Sequence, residues 1–250
     1  MHKFFVPLEN FTSNEAIIQG DDVKHIYKVL RLVEGDNVSI NNGQGEEFLG
    51  VLKSITKKEV IVSISNKIEL NNESPVKVHL YQGLPKSAKM DLISQKATEL
   101  GISTITPIIT ERVIVKSELK EFNKIDRWNR IALEACKQSK RSLIPKINVP
   151  IEFHELLREI AGCDLIIVPY ENAEGYGLKK VFNNIDKNKV KNVAIIIGPE
   201  GGFGEGEIEE LSGKGAHIVT LGPRILRTET AGFTCLSLIM YEIGDLGGNI

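Results

Sequence analysis

The feature that most constrains this chain is a strand, glycine turn and helix pattern that occurs twice between Val193 and Ala231. Val193-Ala-Ile-Ile-Ile reads as a buried strand, Gly198-Pro-Glu-Gly-Gly-Phe-Gly as the turn behind it, and Glu205-Gly-Glu-Ile as the opening of a helix. At His217-Ile-Val-Thr-Leu a second apolar run leads through Gly222-Pro223 and a polar loop to another helix start. Glycine turns at the carboxyl ends of neighbouring parallel strands are where open α/β sheets bind ligands, because backbone amides and carbonyls converge there without side-chain obstruction. These two turns are therefore the expected ligand site, and Tyr170 and Glu171, ending the strand that starts at Asp164, fall beside it.

What the first turn lacks narrows the ligand. A phosphate cradle needs a P-loop lysine or a G-x-G-x-x-G turn feeding a free helix N-terminus. Gly202, Gly204 and Gly206 give G-x-G-x-G instead, position 207 is Glu, and no lysine follows. Glu205, Glu207 and Glu209 complement the positive end of the helix dipole and leave it unattractive to a phosphate. A neutral or cationic small molecule held by backbone groups fits better. A dinucleotide oxidoreductase is disfavoured twice, by the failed fingerprint and by Thr220-Leu221-Gly222 standing where an acidic residue should end the next strand.

With 250 residues and a net charge of −2, the chain has room for one large or two modest domains and carries no global nucleic-acid signal. The charge is nonetheless uneven. Residues 1–72 hold 8 basic and 10 acidic groups, residues 73–150 hold 14 and 8, and residues 151–250 hold 9 and 15, so the middle is the basic part. Cys136, Cys163 and Cys235 are odd in number and widely spaced, which argues against a disulfide framework or a metal site and for a reducing, cytoplasmic setting. Ala231 to Tyr241, the longest uncharged apolar stretch, is about half the roughly 20 residues a membrane span requires, so no membrane association is expected.

Residues 1–72 read mostly as short strands, including Asn37–Ile40, Glu46–Ile55 and Glu59–Ser65, with turn signals between them, as in a small β-barrel. One amphipathic helix interrupts them, Asp21 to Leu32, with Val23, Ile26 and Val29 or Leu30 on one face. Asn71-Asn-Glu-Ser-Pro is the expected linker, giving domains of 1–72 and 73–250. Val76 to Ile109 then reads strand, helix, strand, a βαβ unit that implies a parallel sheet. The helix of that unit offers Lys89, Gln95 and Lys96, able to hold phosphate and read a base edge. From Asn123 to Arg141 a further helix buries Ile125, Trp128, Ala132 and Ala135, and Arg127, Arg130, Lys137 and Arg141 are expected on one exposed stripe with Glu134, the best local candidate for an RNA-facing surface. The last helix, Thr230 to Ile243, is apolar on most sides and is expected to be buried, under the sheet or in a subunit contact.

Gly198-Pro199-Glu200-Gly201-Gly202-Phe203 followed by Leu221-Gly222-Pro223-Arg224-Ile225-Leu226-Arg227-Thr228-Glu229-Thr230-Ala231 resembles the RsmE family of small-subunit ribosomal RNA (uridine-N3) methyltransferases, in the knotted SPOUT superfamily. Lys86 to Ile102, Glu134-Ala-Cys-Lys-Gln138-Ser-Lys-Arg141 and His25-x-x-x-Val29-Leu30-Arg31-Leu32 are similar to further signatures of that family. The resemblance implies a SPOUT-type α/β methyltransferase domain with a carboxyl-terminal trefoil knot, preceded by a PUA-like β-barrel whose Arg31 contacts RNA. It implies S-adenosyl-L-methionine as cofactor, held by Tyr170, Ile197, Gly198, Pro199, Glu200 and Gly201, and by Leu221, Gly222, Ile225, Leu226, Arg227 and Thr230. It also implies 16S rRNA or the small ribosomal subunit as substrate, with Gln138 joining the RNA contacts, and a homodimer. Lys140 stands where the family usually has a small residue or Gly, which makes the shape of that loop the expected point of difference.

Methyl transfer from a sulfonium asks the protein to align nucleophile, carbon and sulfur and to exclude water. A uracil N3–H must also lose its proton, which a nearby cation favours by stabilising the imide anion. Arg227 is the first candidate for that role and Arg224 the second, with Glu229 orienting either arginine or accepting the proton. His217 is expected to be a core or edge residue. A non-catalytic RNA-binding ribosome assembly factor is the alternative reading.

Overall fold

The computed structural model describes residues 1–69, 72–86, 89–113 and 124–248. It divides into two compact units, Met1–Glu73 with Cys136–Ile144, and Ser74–Ala135 with Pro145–Ile250.

In the first unit, β1 (His2–Phe5), β2 (Glu15–Gln19), β3 (Asn37–Asn41), β4 (Glu47–Ile55) and β5 (Glu59–Ile68) form one sheet in the order β1-β3-β4-β5-β2. All pairs are antiparallel except β1 with β3. Register shifts between β4 and β5 at Phe48/Gly50 and Leu52/Ser54 bend this long pair. Its inward alternation, with Val38, Ile40, Leu52, Val60 and Val62, closes over Ala16, Ile18, Val23 and Ile26.

The helix expected at Asp21 to Leu32 departs from the α period. It begins as α1 (Asp21–Lys24) and widens to a π turn over His25–Leu30, ending at Arg31 in the left-handed region with φ of 55°. The wider turn rotates the later residues, so Ile26 is fully buried while Val29 is 66% exposed. Of the two alternatives for that face, Leu30 is the residue that packs toward the core.

The second unit is a parallel sheet in the order β12-β10-β11-β6-β7-β8, with β9 also on β7. Its strands are β6 (Lys77–Gly83), β7 (Thr104–Ile109), β8 (Lys146–Ile147), β9 (Ile151–Glu152), β10 (Leu165–Pro169), β11 (Asn192–Ile197) and β12 (His217–Val219). Along β11, Val193, Ile195 and Ile197 enter one core and Ala194 and Ile196 the other, as a sheet covered on both faces requires. α2 (Lys89–Glu99), α3 (Ile125–Ser139), α5 (Leu178–Asn184) and α7 (Thr228–Ile243) supply the first core, through Met90, Trp128, Phe182 and Leu236 among others. α4 (Phe153–Glu159) and α6 (Glu205–Gly213) supply the second with Leu156 and Leu211. Among the described residues no helix is long and apolar enough to cross a membrane.

The order of the last strands positions the site. After β11 the chain passes β10 to reach the edge strand β12, then returns to start α7 beside β6 and β11. Residues 220–227 must therefore cross the carboxyl ends of β10 and β11.

Candidate ligand-binding site

The crossing segment, the turn after β11 and the end of β10 enclose a cavity of about 570 Å³. That is within the range of roughly 300–1,000 Å³ usual for small-molecule sites. Of the residues expected to hold a ligand, Tyr170, Ile197, Gly198, Pro199, Glu200, Leu221, Gly222, Ile225, Leu226 and Arg227 line it. Gly201 and Thr230 do not. The Gly201 carbonyl faces away and accepts from Arg112 Nη1 at 3.3 Å, and Thr230 lies on the exposed side of α7. Thr228, Gly202 and Lys89 line the cavity and were not assigned to the ligand from sequence.

The first turn owes its shape to Gly202, whose φ of 70° is left-handed and whose Cβ position is filled by the Glu171 carboxylate. Gly83, at the end of β6, permits the closest approach: a Cβ there would lie 2.6 Å from Pro199 Cδ and 2.7 Å from the Gly198 carbonyl carbon. No motif marks Gly83, because the partner that crowds it comes from another strand.

The helix entrance explains the absence of a phosphate site. Glu207 is buried and takes the Gly204 N–H at 2.9 Å on one oxygen and the Glu111 N–H at 2.9 Å on the other. The N-terminus of α6 is thereby capped by a carboxylate of its own, and a second anion there would meet like charge.

The second segment is pinned at both ends. Thr220 Oγ1 accepts the Gly222 N–H at 3.1 Å, and Tyr170 N donates to Val219 O at 3.0 Å. At the far end Thr228 Oγ1 donates to Gly198 O at 2.6 Å and accepts from Gln82 Nε2 at 2.8 Å. Arg224, Ile225 and Arg227 are exposed along the rim between these pins, Ile225 at 89%. Among the described residues neither arginine is in an ion pair. Arg227 is the N-cap of α7, so its side chain leaves from the point where the segment is most firmly held.

Glu229 is turned away from the cavity lining and stands 3.3 Å from Lys89 Nζ, which is also 3.0 Å from Glu200 Oε1. Hydrogen bonding to Glu200 raises the Lys89 pKa against the opposing effect of burial. For Glu200, burial pushes the carboxyl up, and the Lys89 bond with the N–H groups of Glu200 itself and Lys86 outweighs it, leaving the pKa lowered.

The residues expected to face RNA fall in several places. In the second unit Gln95 and Arg130 are exposed, Lys96 pairs with Glu99 at 2.8 Å, and Arg127, 67% exposed, pairs with Asp91 at 2.5 Å. In the first unit Arg31 and Gln138 are exposed and Lys137 pairs with Asp22 at 3.1 Å. Arg141 is not on the exposed stripe. α3 ends at Ser139, Lys140 turns into the left-handed region with φ of 61°, and Arg141 is 6% exposed with Nη2 2.7 Å from Glu73 Oε2. Glu73 also accepts the N–H groups of Ser142 and Leu143 at 2.7 and 2.9 Å. The helix stops two residues short of Arg141, and the partly buried Glu73 carboxylate claims the guanidinium. His217 sits on the edge strand, half-buried, with Nδ1 3.1 Å from Tyr176 OH, and burial lowers its pKa. Among the described residues no group of three or more His, Cys, Asp or Glu could hold a metal ion.

A family model described as the RNA methyltransferase domain matches residues 72–240, and one described as the RNA methyltransferase PUA domain matches residues 18–65. Ribosomal RNA small subunit methyltransferase E of Bacillus subtilis is 36% identical over 255 residues, with 100% of each chain covered. The protein so named in Buchnera aphidicola is 34% identical, covering 93% of this chain and 90% of the other. Among solved structures, a ribosomal RNA small subunit methyltransferase E from Neisseria gonorrhoeae bound to S-adenosyl methionine is similar at a TM-score of 0.84 and 30% identity, over 98% of this chain and 99% of that one. With the PUA-type sheet, the parallel sheet and the two-turn cavity of one architecture, the chain belongs to the ribosomal RNA small subunit methyltransferase E family.

Proposed function

We propose that this protein is an S-adenosylmethionine-dependent methyltransferase that modifies N3 of a uridine in 16S rRNA of the small ribosomal subunit. One observation carries the reading: Arg227, exposed and in no ion pair among the described residues, stands on the rim of the cavity formed by the two glycine-bearing turns. The cavity also fits the donor chemically. Glu171 lines it and is in no ion pair among the described residues, a carboxylate suited to a ligand with ammonium and sulfonium charges, while Glu200 is answered by Lys89. S-adenosylmethionine, the ligand bound in the Neisseria gonorrhoeae relative, would be held between the two turns here and supplies an activated methyl group.

The remaining work belongs to side chains. Arg227 pairs its planar fork with a uracil carbonyl, stabilises the imide charge that develops as N3–H ionises, and holds the ring over the cavity. Arg224 adds positive potential on the same rim, and the exposed Ile225 between them offers an apolar surface to a base. In this reading residues 1–72 are the RNA-binding barrel and residues 73–250 the methyltransferase domain. Arg31, Gln95, Lys96, Arg127, Arg130, Lys137 and Gln138 are candidates for RNA contact, and Arg141 serves the fold instead. The return of the chain from β12 across β10 and β11 supports a knotted path. Leu238 and Tyr241, 40% and 66% exposed on α7, support a homodimer contact through that helix.

The test is transfer of label from S-adenosylmethionine to small subunits taken from cells lacking this activity, followed by nucleoside analysis. The proposal expects labelled 3-methyluridine. RNA binding with no transfer would leave the protein a non-catalytic assembly factor.

A further inference from the structure

Lys89 opens α2 and lines the cavity, with Nζ 3.0 Å from Glu200 Oε1 and 3.3 Å from Glu229 Oε2. The three side chains are 27%, 29% and 12% exposed. They come from three elements: the start of α2, the turn after β11, and the first turn of α7. Glu229 Oε2 is buried and, among the described residues, has no hydrogen-bond partner, so the Lys89 ammonium is the group that answers its charge. Glu200 is held from a second side by the Lys86 N–H at 3.1 Å.

A lysine engaged by two carboxylates is poorly placed to neutralise a phosphate, since each phosphate contact would have to break a partly buried ion pair and leave a carboxylate unanswered. What Lys89 does hold are the two sides of the cavity. Glu200 lies within the turn expected to bind the methyl donor, and Glu229 lies two residues beyond Arg227. We infer that Lys89 is a positioning residue for methyl transfer: it ties the donor turn to the helix end that carries Arg227 and so fixes the spacing between donor and acceptor base. The inference rests on the proposed reading of the cavity and of Arg227. In-line displacement tolerates little misalignment, a shift of about 1 Å costing on the order of a hundredfold in rate.

Lys89→Met and Lys89→Arg distinguish this from an RNA contact. Both are assayed as full-length protein with labelled S-adenosylmethionine and unmodified small subunits, alongside hydrogen exchange at Ala231 to Phe233, the first amides bonded within α7. For Lys89→Met, kcat is expected to fall about tenfold to a hundredfold. KM for subunits should stay within about threefold, with its salt dependence unchanged. Exchange at Ala231 to Phe233 should accelerate, and Lys89→Arg should recover most of the loss. Unchanged exchange, or a KM raised about tenfold with kcat retained and a shallower salt dependence, would make Lys89 a phosphate contact and overturn the inference. Should the wild-type protein transfer no label while Lys89→Met still loosens Ala231 to Phe233, the tie stands and the reading of the substrate fails.

Discussion

Thr228 Oγ1 donates to the Gly198 carbonyl at 2.6 Å, joining the first residue of α7 to the glycine that follows β11. Gln82 Nε2, fully buried in β6, donates to the same hydroxyl at 2.8 Å, so three elements meet on one side chain. Thr228→Val keeps the shape and removes the hydroxyl, taking that donor from the Gly198 carbonyl and leaving Gln82 Nε2 only its 3.1 Å bond to the Gly83 carbonyl. It is expected to destabilise the protein by about 1–3 kcal/mol in urea unfolding and to weaken S-adenosylmethionine binding, while Thr228→Ser retains both.

The Lys89–Glu200 pair sets a pH window. Glu200 has a lowered folded pKa, so its share of stability is present above its unfolded value and lost as pH falls through the folded one. Lys89 has a raised pKa, so its share is present below its ordinary value and lost as pH rises through the raised one. Glu200→Gln is therefore expected to melt below wild type at neutral pH and to converge with it only as pH falls below the ordinary carboxylate range, through the lowered folded value. A difference that persists in acid would assign the effect to packing.

Lys140 adopts a left-handed φ of 61° without being glycine. Relief of that strain exceeds the extra entropy glycine loses on folding, so Lys140→Gly is expected to stabilise by about 0.5–1 kcal/mol. Its check is a higher urea midpoint at unchanged m-value. The Asn72 Nδ2 bond to the Lys140 carbonyl, at 2.5 Å, involves backbone and survives the change.

The sheet was legible because its signals are local. Val193 to Ile197 is a continuous apolar run, and the glycine turn behind it announces its own end. β8 and β9, at two residues each, carry no period to detect. The cavity could be placed from the two turns, yet its outline could not: Gly201 and Thr230 sit inside the motifs and face elsewhere, and Gly83 lies outside them and is crowded by Pro199. Spacing alone put Arg141 on an exposed stripe, since neither the helix end at Ser139 nor Glu73 is visible in a periodicity. The choice between Val29 and Leu30 was open in the spacing because the period changes at the π turn, and Leu30 takes the core side. Lys89 reads as a surface cation until the turn after β11 and the start of α7 bring their carboxylates to it.

Arg227→Ala tests the central claim most directly, because Arg227 lines the cavity beside the turn after β11 and is exposed to solvent. Calorimetry with S-adenosylmethionine and turnover on unmodified small subunits are measured on the same preparation. The account predicts donor affinity within about threefold of wild type and a fall in kcat of about a hundredfold to a thousandfold, the loss typical of removing one charge-stabilising donor. Turnover equal to wild type with donor binding intact would contradict it and take Arg227 out of the reaction.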